Sequence, residues 1–139
     1  MQDERLTLIG QTADDLPAIS ALLQDATLRV VDVGYDRRAR RLALLVNRYR
    51  WESATRSRVR CALRLETVTA VQRQGWPLGG DAVLNLLSLT QDGDWLVLTF
   101  AAGAALRMQA EVIEVVMEDL AAPWETQREP NHSYPPPLP

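Results

Sequence analysis

The sequence has no lysine, so all fifteen of its basic residues are arginine, and it has one cysteine (Cys61), one histidine (His132) and one phenylalanine (Phe100). A lone cysteine excludes an intramolecular disulfide and any cysteine-rich metal site. A lone histidine near the end of the sequence leaves no base for a nucleophilic triad and no second imidazole for a paired-histidine metal centre. Without lysine, Gly79-Gly80-Asp81 cannot open a phosphate-binding P-loop. No apolar run approaches the roughly 20 residues of a membrane-spanning helix. Residues 1–10 place Asp3, Glu4 and Arg5 before a short apolar stretch, which is not the layout of an export signal. These absences set the expectation of a cytoplasmic protein with no membrane partner, no metal and no cofactor.

At 139 residues, 47% hydrophobic and 24% charged, the chain has the size and composition of one globular domain. Cys61 falls in an alternating apolar pattern, where a free thiol behaves as a small hydrophobe. The net charge of −3 hides an uneven distribution: residues 29–64 carry eleven arginines against Asp32, Asp36 and Glu52, a local balance of +8. The arginines also scatter over the rest of the chain, so genome composition accounts for the missing lysine better than selection for bidentate contacts does.

Apolar spacing at Leu16, Ile19, Leu22 and Leu23, with Pro17 in the first turn, predicts a short helix over 14–24 after a strand at 5–9. From Ala26 the period becomes two. Strands are expected at 27–35 and 41–51 around an Asp36–Arg40 turn, and the second, apolar on both faces, reads as central or as lining a barrel. The stretch 58–72 alternates with Val59, Cys61, Leu63 and Leu65 on one face, then changes parity after Glu66, which predicts a bulge or bend. A loop through Gly75, Gly79 and Gly80 leads to strands at 83–90, 95–100 and 104–108, separated by turns at Asp92-Gly93 and Ala102-Gly103. Val112, Ile113, Val116, Met117 and Leu120 then fit helical spacing and predict a C-terminal helix closed by Pro123.

The expected fold is therefore α+β: a mainly antiparallel curved sheet or small, partly open barrel with a short N-terminal helix and a C-terminal helix. That order of elements resembles the pleckstrin-homology-like arrangement. The globular domain is expected over 1–124 and a Pro-rich flexible tail over 125–139, where Tyr134-Pro135-Pro136-Pro137 favours extended chain.

Three patterns are similar to those of one bacterial family: Leu22-Leu23-Gln24-Asp25-Ala26 followed by Asp36; Arg41 to Trp51 with Asn47-Arg48-Tyr49-Arg50-Trp51-Glu52; and Ile113, Glu114, Glu118-Asp119-Leu120 and Pro123-Trp124. The family is catalogued as a domain of unknown function, numbered 2948. The resemblance implies no activity, cofactor or catalytic residue.

The residues themselves nominate an anion- or partner-binding set: Arg58, Arg60 and Arg64 as a one-sided stripe, with Arg48 and Arg50 on a neighbouring strand and Asn47, Tyr49 and Trp51 beside them. The plain alternative is that Tyr49 and Trp51 finish the core while the arginines pair with acids. The leading expectation is a non-catalytic binding or interaction module that uses this arginine-rich face for a protein partner, itself or a polyanion. A small enzyme acting on an anionic substrate through Asp25 or Asp32, with Arg48 as an anion clamp, is the second. A homodimer in which the arginine stripe meets the acidic C-terminal helix is the third.

Overall fold

Two-residue periodicity governs the chain from Ala26 to Asp119, and a computed structural model, which describes residues 5–126 and 130, places almost all of it in strands. They are β1 (Thr7–Gly10), β2 (Ala26–Arg29), β3 (Val33–Asp36), β4 (Arg41–Tyr49), β5 (Ser57–Leu65), β6 (Val68–Gln74), β7 (Val83–Asp92), β8 (Trp95–Phe100), β9 (Ala105–Ala110), β10 (Val115–Asp119) and β11 (Trp124–Glu125). Among the described residues there is one α-helix, α1 (Leu16–Leu23). The strands form one open sheet in the order β1-β10-β5-β4-β2-β7-β8-β9-β6, with β3 also beside β4 and β11 also beside β5. Every pairing is antiparallel.

The sheet curls around one apolar core. Its inner face carries Leu42, Leu44 and Val46 of β4, Cys61, Leu63 and Leu65 of β5, Val115 and Met117 of β10, and the buried leucines of β7 to β9. Leu16, Ile19 and Leu23 of α1 pack into the same cluster. The helix starts where expected because Asp15 accepts hydrogen bonds from the backbone N–H groups of Gln11 and Thr12, which hold its carboxyl below the usual range. It ends at Leu23 with Gln24 as its cap, and Asp25, at a φ of +65°, turns the chain into β2.

The central position expected of β4 is what the pairing provides, with β5 along one edge and β2 and β3 along the other. The expected strand over 27–35 is instead two strands interrupted by a 3-10 turn at Val30–Asp32, so that β2 pairs with β7 and β3 with β4. The parity change after Glu66 marks a full break. Thr67 takes a φ of +56°, and the two halves of 58–72 become β5 and β6 with different neighbours.

The expected C-terminal helix is not formed. In that region Val115, Met117 and Asp119 are buried while Val116 and Glu118 are half-buried, the period of the strand β10. Val112, Ile113, Val115 and Val116 are β-branched and suit a strand beside β5. The apparent helical spacing rested on a window too short to separate periods of 3.6 and 2. Without this helix the pleckstrin-homology-like order fails as well. Of the expected tail, Trp124 and Glu125 pair with β5 as β11, and most of it, with His132 and the proline run, lies outside the described residues.

Cys61 has no exposed surface, and burial first, then the nearby Asp119 charge, pushes its thiol up to about 12. The native protein at pH 8 is therefore expected to resist a thiol-specific disulfide reagent, whereas the urea-unfolded chain reacts stoichiometrically. Reaction of the folded protein at the rate of a free thiol would contradict this burial.

Candidate functional site

Alternation divides the end of β4 between two faces of the sheet. Leu42, Leu44, Val46 and then Arg48 point inward, while Ala43, Leu45, Asn47 and Tyr49 point outward. Arg48 is thus a charged residue in a position the strand reserves for core side chains, and it is completely buried. Burial opposes its charge, but its carboxylate partners outweigh that and hold the guanidinium above its ordinary value.

Those partners come from two places. Asp119, the inward residue at the end of β10, accepts Nε at 2.8 Å and Nη2 at 2.7 Å. Glu52, four residues after Arg48, accepts Nη1 at 2.9 Å and Nη2 at 2.8 Å. The fifth N–H is turned toward the Tyr49 carbonyl at 3.5 Å. Both carboxylates grip the guanidinium in two-pronged fashion, the geometry its planar fork favours. Asp119 also accepts the backbone N–H of Leu6, and its own N–H donates to the Leu6 carbonyl. This cluster therefore joins β4, β10, the chain entering β1 and the loop after β4.

Arg50 is also buried. Its Nη1 donates to the Ser57 hydroxyl at 2.9 Å, and its Nε lies 3.9 Å from Glu52. It forms one wall of an open groove of about 600 Å³ with Ser53, Thr55, Ser57 and Trp124. The Ser53 and Thr55 hydroxyls share a hydrogen bond of 2.8 Å.

The outer face carries the rest of the nominated set. Register places Arg58 beside Tyr49, Arg60 beside Asn47, and Arg64 between Ala43 of β4 and Val116 of β10. Arg58 donates to the Asn47 and Asp25 carbonyls and lies over the Tyr49 ring at 5.8 Å. Burial pulls its guanidinium below the ordinary value, with Asp25 and Tyr49 opposing. Arg60 donates to Asn47 Oδ1 at 3.2 Å and faces Asp32 at 3.8 Å. Arg64 is half-buried and forms no ion pair among the described residues. Trp51 packs edge-on against Tyr49 and donates its indole N–H to the Gln24 carbonyl.

The structure therefore brings Arg58, Arg60, Arg64, Asn47 and Tyr49 together and separates Arg48 and Arg50 from them. It also removes the geometry of the enzyme expectation. Arg48 is saturated beneath the sheet, while Asp32 is engaged by Arg60 and Arg29, and Asp25 lies next to Arg58. The expected homodimer has no acidic helix to use, because Glu118 lies on β10 on the same outer face as Arg64. Among the described residues no group of three His, Cys, Asp or Glu side chains is placed to hold a metal ion.

Sequence reasoning missed Asp119 and Glu52 as partners of Arg48. The available signal was parity: an arginine continuing the inward series Leu42, Leu44, Val46 requires a buried acid. The patterns that resemble a known family also meet here. Trp51 and Arg58 hold the Gln24-Asp25 turn, and Arg48 binds Asp119. A family model described as "Protein of unknown function (DUF2948)" matches residues 6–132. No curated protein and no solved structure matches the chain significantly.

Replacing Arg48 by alanine leaves Asp119 buried without its counter-charge and is expected to destabilise the fold by about 3–5 kcal/mol in urea unfolding. Arg48→Met with Asp119→Leu should be far less harmful; an equal loss in both would show that the pair is not the source of the effect. Glu52 responds to burial, which raises its pKa, but Arg48 more than offsets this and holds it below its ordinary 4.5. A carboxylate depressed in the folded state contributes stability above its unfolded value, and that contribution is lost as the pH falls through the folded value. Acid titration of stability should accordingly be flatter below pH 4.5 in Glu52→Gln than in the parent.

Proposed function

The chain belongs to the DUF2948 family of proteins of unknown function, and we propose that it acts as a non-catalytic binding module. Its contact surface is the outer face of β5 with the neighbouring strands β4 and β10. The observation that carries this reading is the placement of Arg58, Arg60 and Arg64 on one side of a single strand, with Arg64 unpaired by any carboxylate among the described residues.

The surroundings support a protein partner over a nucleic acid. Ile9 is 60% exposed and Leu45 37% exposed, and register puts Ile9, Val116, Ala43 and Ala62 on the same side as Arg64. An apolar centre crossed by arginine and bordered by polar groups is the composition of protein interfaces. Arg58 and Arg60 are held by Asn47 and by backbone carbonyls, so part of the entropy of ordering them on binding is already spent. The partner this face fits is the acidic surface of another protein.

The test is fluorescence anisotropy of labelled poly-glutamate, single-stranded RNA and duplex DNA at low and physiological salt, with Arg60→Glu/Arg64→Glu as control. Arg58 is left intact because it holds the Asp25 turn. Poly-glutamate should bind, weaken as salt rises, and be lost in the double variant. Tighter binding of either nucleic acid would reassign the face to a polyanion, and no binding at low salt would overturn the reading.

A further inference from the structure

Strands β3 and β6 are edge strands that face one another without pairing. β3 is bonded to β4 and β6 to β9. At one end Val68 N–H donates to the carbonyl of Arg40, in the turn after β3, at 2.8 Å, and the Tyr35 hydroxyl donates to the Val68 carbonyl at 2.7 Å. Beside it lies a cleft of about 340 Å³ whose lining includes the core residues Leu42 and Leu106. Val33, Leu42, Val71, Trp76 and Leu106 line it together with Tyr35, and Arg73 is its one cation.

Arg73 occupies an unusual position. Antiparallel register sets it opposite Leu106 and sets Val71 opposite Met108, and both partners are core residues. Residues opposite one another share a face, so the guanidinium belongs to the inward face of β6, where Val71 precedes it. Yet Arg73 is exposed and forms no ion pair among the described residues. Arg107, by contrast, lies over the Trp95 ring and 3.7 Å from Asp92. The walls of the cleft are fixed: Leu42 and Leu106 are each 1% exposed, and Trp76 packs edge-on against Phe100 at 5.6 Å.

We propose that this cleft binds a small molecule with an apolar body and a single carboxylate, the body lying between Val33, Val71 and Trp76 and the carboxylate pairing with Arg73. The volume exceeds the roughly 150 Å³ of an apolar cavity that admits benzene and lies within the roughly 300–1,000 Å³ of ligand pockets. Apolar side chains with a few placed polar groups, here Arg73 and Tyr35, are the usual make-up of such sites. The guanidinium fork matches a carboxylate in two-pronged geometry. One cation among the lining residues suits a monoanion and leaves a second negative charge uncompensated.

Isothermal titration of the full chain with octanoate, octan-1-ol and acetate tests this proposal. Octanoate should bind, octan-1-ol about tenfold more weakly, reflecting one lost charge-assisted contact, and acetate not at all. Arg73→Gln should erase the preference for octanoate while leaving octan-1-ol unchanged. Val71→Trp, which fills the cleft, should abolish both. Arg73 is exposed, so its variant is expected to fold, and a cooperative urea transition checks this for each protein. Absence of octanoate binding would overturn the proposal, as would octanoate binding that neither substitution alters. An inward charge on an edge strand can instead serve to block strand-to-strand association. Self-association of Arg73→Gln in light scattering, with a parent that ignores octanoate, would assign that role and exclude the ligand site.

Discussion

A buried guanidinium can exist in this core only because two carboxylates reach it from different parts of the chain. Arg48 takes the place of a leucine in the inward series of β4, and Asp119 arrives from β10 on the far side of β5. Their hydrogen bonds span 71 positions of sequence. Each charge makes the other tolerable, since an isolated ion in an apolar interior costs several kcal/mol or more. A well-packed apolar pair would fill the same volume without that cost. What the ionic cluster adds is definition: five N–H donors and four carboxylate oxygens fit in one arrangement, which sets β10 against β5 and secures Leu6 at the entry to β1. The edge of the sheet nearest the chain start depends on that arrangement.

The same alternation that buries Arg48 delivers Arg58, Arg60 and Arg64 to the opposite face. Their environments differ. Arg58 binds the carbonyls of Asp25 and Asn47, so its role is to fix the turn between α1 and β2 against the end of β4. Arg60 is steadied by Asn47 and Asp32. Arg64 alone of the three lies among small and apolar neighbours, Ala43 and Val116. A uniform basic stripe is thereby graded from structural at one end to available at the other, and the available end adjoins exposed Ile9 and Leu45.

The cleft between β3 and β6 follows from a different feature, the failure of two edge strands to pair. The break at Glu66-Thr67 sends β6 away from β5, while the 3-10 turn at Val30–Asp32 sends β3 toward β4. Val68 is tied to Tyr35 of β3 and to Arg40 of the turn that follows it, and no ladder between β3 and β6 continues from there. The gap so formed meets the core at Leu42 and Leu106.

What the sequence by itself determined is local. Period-two alternation identified nearly every strand, Pro17 marked the first turn of the helix, and Asp92-Gly93 and Ala102-Gly103 marked turns, because each signal is written within a few residues. The stripe Arg58, Arg60, Arg64 was legible for the same reason. A five-residue strand at 115–119 was not, since its apolar positions satisfy both periods until burial chooses between them. The partners of Arg48, the division of the arginines between two faces, and the meeting of β3 with β6 were decided only by the tertiary structure. Each depends on which strands become neighbours, and hydrogen bonding between distant strands leaves no trace in the local order of residues.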